Sequence, residues 1–256
     1  MTRRRWIADE WTESSAHLLA GQAAHLARVL RAQVGQEFDI VAGNTVRRGV
    51  IEKISADAVE FSLHEEVEAA DSFPFVFALS IVRFERMEWA IEKLTELGVA
   101  RIVPLIAQRS EKHLVQTAAK RKERWRKIAH ESAQQSRRKT VPEISDAMSV
   151  VECAREMPEA RRLVFSEQER ARSVWESLKI TASEADTIWA AIGPEGGWTP
   201  MEVSTFAETG WQSVSLGPHI LRAETAAIAA ASLLGAWWIG SPELEQPEKD
   251  ASTENF

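Results

Sequence analysis

At 256 residues, 45% hydrophobic and 27% charged, with 12 Gly and 9 Pro, the chain can bury one or two ordinary cores and is neither fibrous nor low in complexity. Its single cysteine, Cys153, excludes an internal disulfide and a cysteine-based zinc site, and the six His show no His-Glu-x-x-His spacing, so no metal is expected. The net charge of −7 would argue against nucleic acid if it were evenly spread, and it is not.

The N-terminus places Arg3, Arg4 and Arg5 before polar sequence, and no stretch approaches 18 consecutive apolar residues. Neither a signal peptide nor a membrane span is therefore expected, and the cytosol is the expected location. Residues 37–42, 46–54 and 58–63 are rich in Val, Ile and Phe and are separated by the turns Gly43-Asn44 and Ser55-Ala56-Asp57, which predicts a small β-barrel over residues 1–70. One helix interrupts it at 22–30, with Ala23, Leu26, Ala27 and Leu30 on one face and Arg28 and Arg31 on the other. The acidic stretch 65–71 reads as a linker.

From Phe73 the pattern changes to alternating strand and helix, a second domain expected over 73–240. The spacing predicts strand 75–82, helix 86–97 closed by Gly98, strand 101–106, a basic helix 117–135, strand 161–166, a short helix near Val174, strand 187–192, helix 200–208, strand 212–216 and an Ala-rich helix 224–238. Such alternation implies an α/β fold with a mostly parallel sheet, and such sheets bind ligands outside the carboxyl ends of their strands.

Between Lys120 and Lys139 nine basic residues stand against Glu123 and Glu131, a local charge of +7. Within it, Arg137, Arg138 and Lys139 follow Gln134 and Gln135, a cluster suited to phosphate oxygens. The tail 241–256 carries a local −4 with two Pro and reads as disordered.

Two strands end in Gly-Pro. Residues 188–192 run into Gly193-Pro194-Glu195-Gly196-Gly197-Trp198, and residues 214–216 run into Gly217-Pro218-His219-Ile220-Leu221-Arg222. The first loop ends in Thr199-Pro200-Met201-Glu202, a capping box with Pro at the first helical position. Three glycines in five residues let backbone approach a ligand with its N–H groups unobstructed, so a cradle for a polar small molecule is expected. Neither the dinucleotide fingerprint nor the P-loop is present.

These stretches, with Met87-Glu88 to Glu96-Leu97-Gly98-Val99 and Gln134-Gln135-Ser136-Arg137-Arg138 leading to Val141-Pro142, resemble the RsmE-type ribosomal RNA uridine-N3 methyltransferases of the SPOUT superfamily. The N-terminal match, on His25 to Arg31, is softer. The resemblance implies a C-terminal trefoil knot, a PUA-like RNA-binding barrel, a homodimer, ribosomal RNA of the small subunit as partner, and S-adenosylmethionine as methyl donor. It places the donor against Phe165, Ser166, Ile192, Gly193, Pro194, Glu195, Gly196, Gly197, Leu216, Gly217, Ile220 and Leu221. Arg222 is then the expected cation near the uracil or its phosphate, and Glu224 or Glu195 the proton acceptor or the group orienting Arg222. Arg3, Arg4, Arg5, Arg28, Arg31, Arg137, Arg138 and Lys139 are expected on RNA. Two other functions remain open on the sequence: a ribose 2′-O methyltransferase, whose Asn-rich motif residues 88–98 lack, and a non-catalytic assembly factor.

Overall fold

The structure, a computed structural model, describes residues 5–156, 159–179 and 187–240. Arg3, Arg4 and the acidic tail lie outside the described residues. By their contacts the described residues form two units: residues up to 72 with 91–102 and 120–144, and residues 73–90 with 103–119 and those from 145 onward.

The first six strands, β1 (Arg5–Ile7), β2 (Glu10–Trp11), β3 (Ser15–Leu19), β4 (Glu37–Ala42), β5 (Thr45–Ile54) and β6 (Ala58–Glu66), form one sheet in the order β1-β4-β5-β6-β3-β2. β1 and β2 occupy opposite edges, yet only Ala8 and Asp9 separate them in the chain. Two residues span only about 7 Å, so the sheet must curl until its edges meet, which is the expected barrel. The β4–β5 hairpin turns on Gly43-Asn44, with Gly43 at φ +63°, a left-handed value that glycine adopts without steric cost. Inward residues alternate along β3 and β6, and Leu18, Leu26, Ile40, Ile51, Val59 and Phe61 fill the interior.

The expected helix 22–30 is present in two parts, α1 (Ala20–Ala24) and a π-helical turn (His25–Val29). The wider turn lets the Leu30 amide reach the His25 carbonyl at 3.1 Å, and Arg31, at φ +52°, ends the helix.

The remaining elements are β7 (Phe73–Ser80), α2 (Phe84–Glu96), β8 (Val99–Ile106), α3 (Lys112–Gln135), β9 (Glu143–Ile144), β10 (Met148–Ser149), α4 (Val150–Arg155), β11 (Arg161–Phe165), α5 (Val174–Lys179), β12 (Ile188–Ile192), α6 (Pro200–Glu208), β13 (Gln212–Val214) and α7 (Ala223–Gly240). Their sheet runs β10-β8-β7-β12-β11-β13, with β9 added on β8, and β7, β12, β11 and β13 are parallel. β12 is buried at every position because helices cover both faces, which explains its continuous apolar run.

After β13 at the sheet edge, α7 returns to pack on β7 and β12. The chain thus recrosses β11. α7 alone among the described residues is long and apolar enough to cross a membrane. Its apolar residues are used inside the fold: Ala227, Ala230, Ala231 and Leu234 are buried, and Trp238 meets Phe75 edge-on with centroids 5.7 Å apart.

Candidate active site

The carboxyl ends of β11, β12 and β13 open on one cavity of about 70 Å³. β11 stands between the other two, so the Gly-Pro corners do not follow neighbouring strands of the sheet as their sequence order suggests. Phe165, Ser166 and Glu167 from the end of β11 complete the wall between them. Of the residues expected to hold the donor, Phe165, Ser166, Ile192, Gly193, Pro194, Leu216, Gly217 and Leu221 line the cavity; Glu195, Gly196, Gly197 and Ile220 do not. Ser215, His219, Ala223 and Ala226 join it unforeseen.

The first corner is held from several sides. The buried Trp198 indole donates to the Phe165 carbonyl at 2.8 Å, tying the end of β11 to the loop after β12. The ring passes so close to Gly193 that a Cβ there would stand 3.1 Å from it, so glycine is needed for contact rather than for conformation. The capping box forms: Glu202 Oε2 accepts from the Thr199 amide at 2.8 Å, and the Thr199 hydroxyl accepts from the Glu202 amide. Its other oxygen accepts the Gln108 amide at 2.7 Å, latching α6 to the loop after β8. From that loop Arg109 donates to the carbonyls of Gly196 and Trp198 at 2.7 and 3.2 Å.

The expected free amides are partly used up. Gly197 N–H donates to the Pro194 carbonyl at 2.8 Å, and Gly217 N–H donates to the Ser215 hydroxyl at 3.1 Å. These two glycines serve by backbone shape instead, at φ +68° and φ +115°.

Glu195 and Glu224 were both expected to serve or to orient Arg222. They converge on a different cation, Arg86 of α2. Arg86 Nη1 donates to Glu195 Oε1, and its Nε lies 3.7 Å from Glu224 Oε1. The two carboxylates differ in environment: the Glu195 side chain is 39% exposed and the Glu224 side chain 5%. The second oxygen of Glu224 is buried with no hydrogen-bond partner among the described residues. A buried carboxylate oxygen left without a donor costs about 1–3 kcal/mol, so the site carries unused accepting capacity. Arg222 is exposed, immediately before Ala223 of the cavity wall, and no hydrogen bond or ion pair engages its guanidinium among the described residues.

The basic cluster does not act as one surface. Arg138 is buried, its Nη1 donating to the Thr95 carbonyl at 2.8 Å and its Nη2 to the Ser72 hydroxyl at 2.7 Å, so it cannot meet a phosphate. Burial lowers its pKa to about 10, which still leaves it cationic near neutrality. Lys139 pairs with Asp71 at 3.0 Å, and the half-buried Arg5 lies 3.8 Å from Asp39. Arg28, Arg31 and Arg137 are exposed. Truncation of Arg138 should therefore act on folding: Arg138→Ala is expected to lower stability by about 3 kcal/mol, since two charge-assisted bonds are lost and a buried carbonyl is stranded. Urea unfolding monitored by tryptophan fluorescence checks this.

Residues 70–235 match the RNA methyltransferase domain family and residues 20–63 match the RNA methyltransferase PUA domain family. Ribosomal RNA small subunit methyltransferase E of Bacillus subtilis (strain 168) is 30% identical over 218 residues, 82% of this chain and 85% of that protein. The protein of the same name from Aquifex aeolicus (strain VF5) is 30% identical over 224 residues, 85% of this chain and 92% of its own length. Among solved structures, the ribosomal RNA small subunit methyltransferase E of Neisseria gonorrhoeae bound to S-adenosylmethionine superposes with a TM-score of 0.79 at 28% identity, covering 93% of this chain and 98% of that one. The barrel, the parallel sheet and the cavity at its strand ends thus belong with sequence similarity that spans nearly the whole chain, and the chain is a member of the RNA methyltransferase family whose curated relatives are named ribosomal RNA small subunit methyltransferase E.

Proposed function

We propose that the chain transfers a methyl group from S-adenosylmethionine to N3 of uracil in a uridine of small-subunit ribosomal RNA. In this reading residues 1–70 bind RNA, residues 73–240 catalyse, and the protein works as a cytoplasmic homodimer. The observation that carries it is the single cavity where three parallel strand ends meet, with a buried carboxylate, an arginine and a second carboxylate grouped beside its lining residues. The lining suits the donor: Phe165, Leu216 and Leu221 offer apolar surface for a heterocycle, the Ser166 and Ser215 hydroxyls offer polar contacts, and Gly193 and Gly217 let a ligand come against backbone.

When bound, S-adenosylmethionine supplies a methyl group activated by a sulfonium. The protein has to supply position, a proton acceptor and compensation of charge. Glu195, the more exposed carboxylate, accepts the N3 proton. Arg86 fixes its direction and is itself fixed by Glu224. Arg222 offsets the negative charge that builds on the uracil oxygens flanking N3. Because N3 lies on the pairing edge, the target base must be unpaired or turned out of its helix before it can enter. The dimer rests on the exposed apolar side chains Trp89, Ile220 and Ile239, which a second copy would cover.

The test is incubation of the full chain with small ribosomal subunits lacking the modification and methyl-labelled S-adenosylmethionine. Nucleoside mass spectrometry should find the label in N3-methyluridine. Label found on ribose, or none transferred, overturns the reading, and sedimentation velocity decides the dimer.

A further inference from the structure

A second cleft, within the first unit and sharing no residue with the cavity above, has a volume of about 410 Å³. β1 and the π-helical turn of the barrel form one side of it, and the carboxyl end of α3 forms the other. Its walls join an aromatic pair, two amides, two cations and one carboxylate, Glu131. The rings of Trp6 and His25 stand 5.9 Å apart and tilted, and around them lie Gln134, Gln135, Arg5 and Arg137.

Hydrogen bonds set the polarity of this wall. The Asp9 carboxylate, an acceptor only, takes the Leu19 amide at 2.7 Å and the Gln22 side-chain amide at 3.0 Å. Gln22 therefore turns its Oε1 outward, and that oxygen accepts from Nε2 of Gln134. With its nitrogen so committed, Gln134 presents Oε1 as a directed acceptor. Trp6 is the covered part of the wall: it is only 7% exposed, and its Nε1 is buried without an acceptor among the described residues. Arg5 donates to the Arg137 carbonyl, which brings the exposed Arg137 side chain to the rim.

A phosphate alone would use the cations but neither the rings nor the fixed acceptor. An unpaired base uses all three, by stacking, edge hydrogen bonding and backbone neutralisation. We propose that this cleft receives one unpaired nucleotide of the RNA substrate, distinct from the nucleotide that is methylated, with its base against His25, a base N–H on Gln134 and its phosphate at Arg137. The proposal rests on the methyltransferase reading only for the identity of the RNA.

The experiment uses the full chain with a fluorescein-labelled single-stranded RNA of 12 nucleotides, the corresponding duplex, and S-adenosylmethionine. His25 is exposed and Gln134 lies on a helix, so His25→Ala and Gln134→Leu should keep the fold, which thermal melting verifies. Each is expected to weaken single-strand binding about tenfold, the usual loss for one stacked base and for a base N–H left without its acceptor. Duplex binding and the calorimetric heat with S-adenosylmethionine should stay unchanged. Single-strand affinity within twofold of the parent in both variants overturns the proposal, as does an equal loss on duplex. If the parent gives no heat with S-adenosylmethionine and the variants still lose single-strand affinity, the methyl-transfer reading fails and the cleft stands.

Discussion

Arg86→Ala is expected to lower single-turnover methylation of ribosomal RNA by about 10²- to 10³-fold, the usual cost of removing one preorganised charge contact from a reacting centre. Arg86 is the shared cation of Glu195 and Glu224, so its loss releases the direction of the first and leaves the second nearly buried with neither oxygen paired. The second effect should appear as instability of about 3 kcal/mol, because removing one partner of a buried pair strands the other charge. The two consequences can be separated. Glu224→Gln added to Arg86→Ala removes the stranded charge, so the double variant should regain urea stability while turnover stays low. Recovery of turnover together with stability would mean that Arg86 only supports the fold.

Gly217→Val should reduce S-adenosylmethionine affinity about a hundredfold in calorimetry. Gly217 sits at φ +115°, a conformation that costs a residue with a side chain about 1–3 kcal/mol. The corner can relieve that strain only by moving, and it forms part of the cavity wall. A branched side chain also takes up space where nothing now lies within 4 Å. Gly35→Val is the control: Gly35 has a similar strained φ of +86° and equally open surroundings but does not line the cavity. It should cost stability and leave affinity unchanged. Equal loss of affinity in both variants would assign the effect to general destabilisation.

Much of the second domain was legible because its elements are long and periodic. The apolar run of β7 begins and ends two residues before the sequence expectation, and the buried β12 matches it to within one residue. Gly98, at φ +84°, closes α2 as expected, and the Thr199 capping box forms with the bonds its spacing predicts. The elements not foreseen, β1, β2, β3, β9, β10 and α4, are two to six residues long. A segment of that length contains too little periodicity to register, and it is paired only because tertiary neighbours supply its partners. The chain contains ten tryptophans. Trp189, Trp198 and Trp211 with Phe206 form an aromatic cluster beneath the Gly-Pro corner, with centroids 4.9 to 6.3 Å apart.

The sequence by itself determined that two strands end in Gly-Pro corners, that α6 starts at a capping box, and that helices alternate with strands, because each of these is a local property of a few consecutive residues. Only the tertiary structure decided which charges meet. Glu224 lies two residues from Arg222 in sequence, yet it and Glu195 meet Arg86, more than a hundred residues away, and Arg138, one of three adjacent basic residues, turned inward to Thr95 and Ser72. Side-chain identity fixes what a group can bind, whereas the dielectric around it and the partner within reach are set by segments that approach only when the sheet assembles.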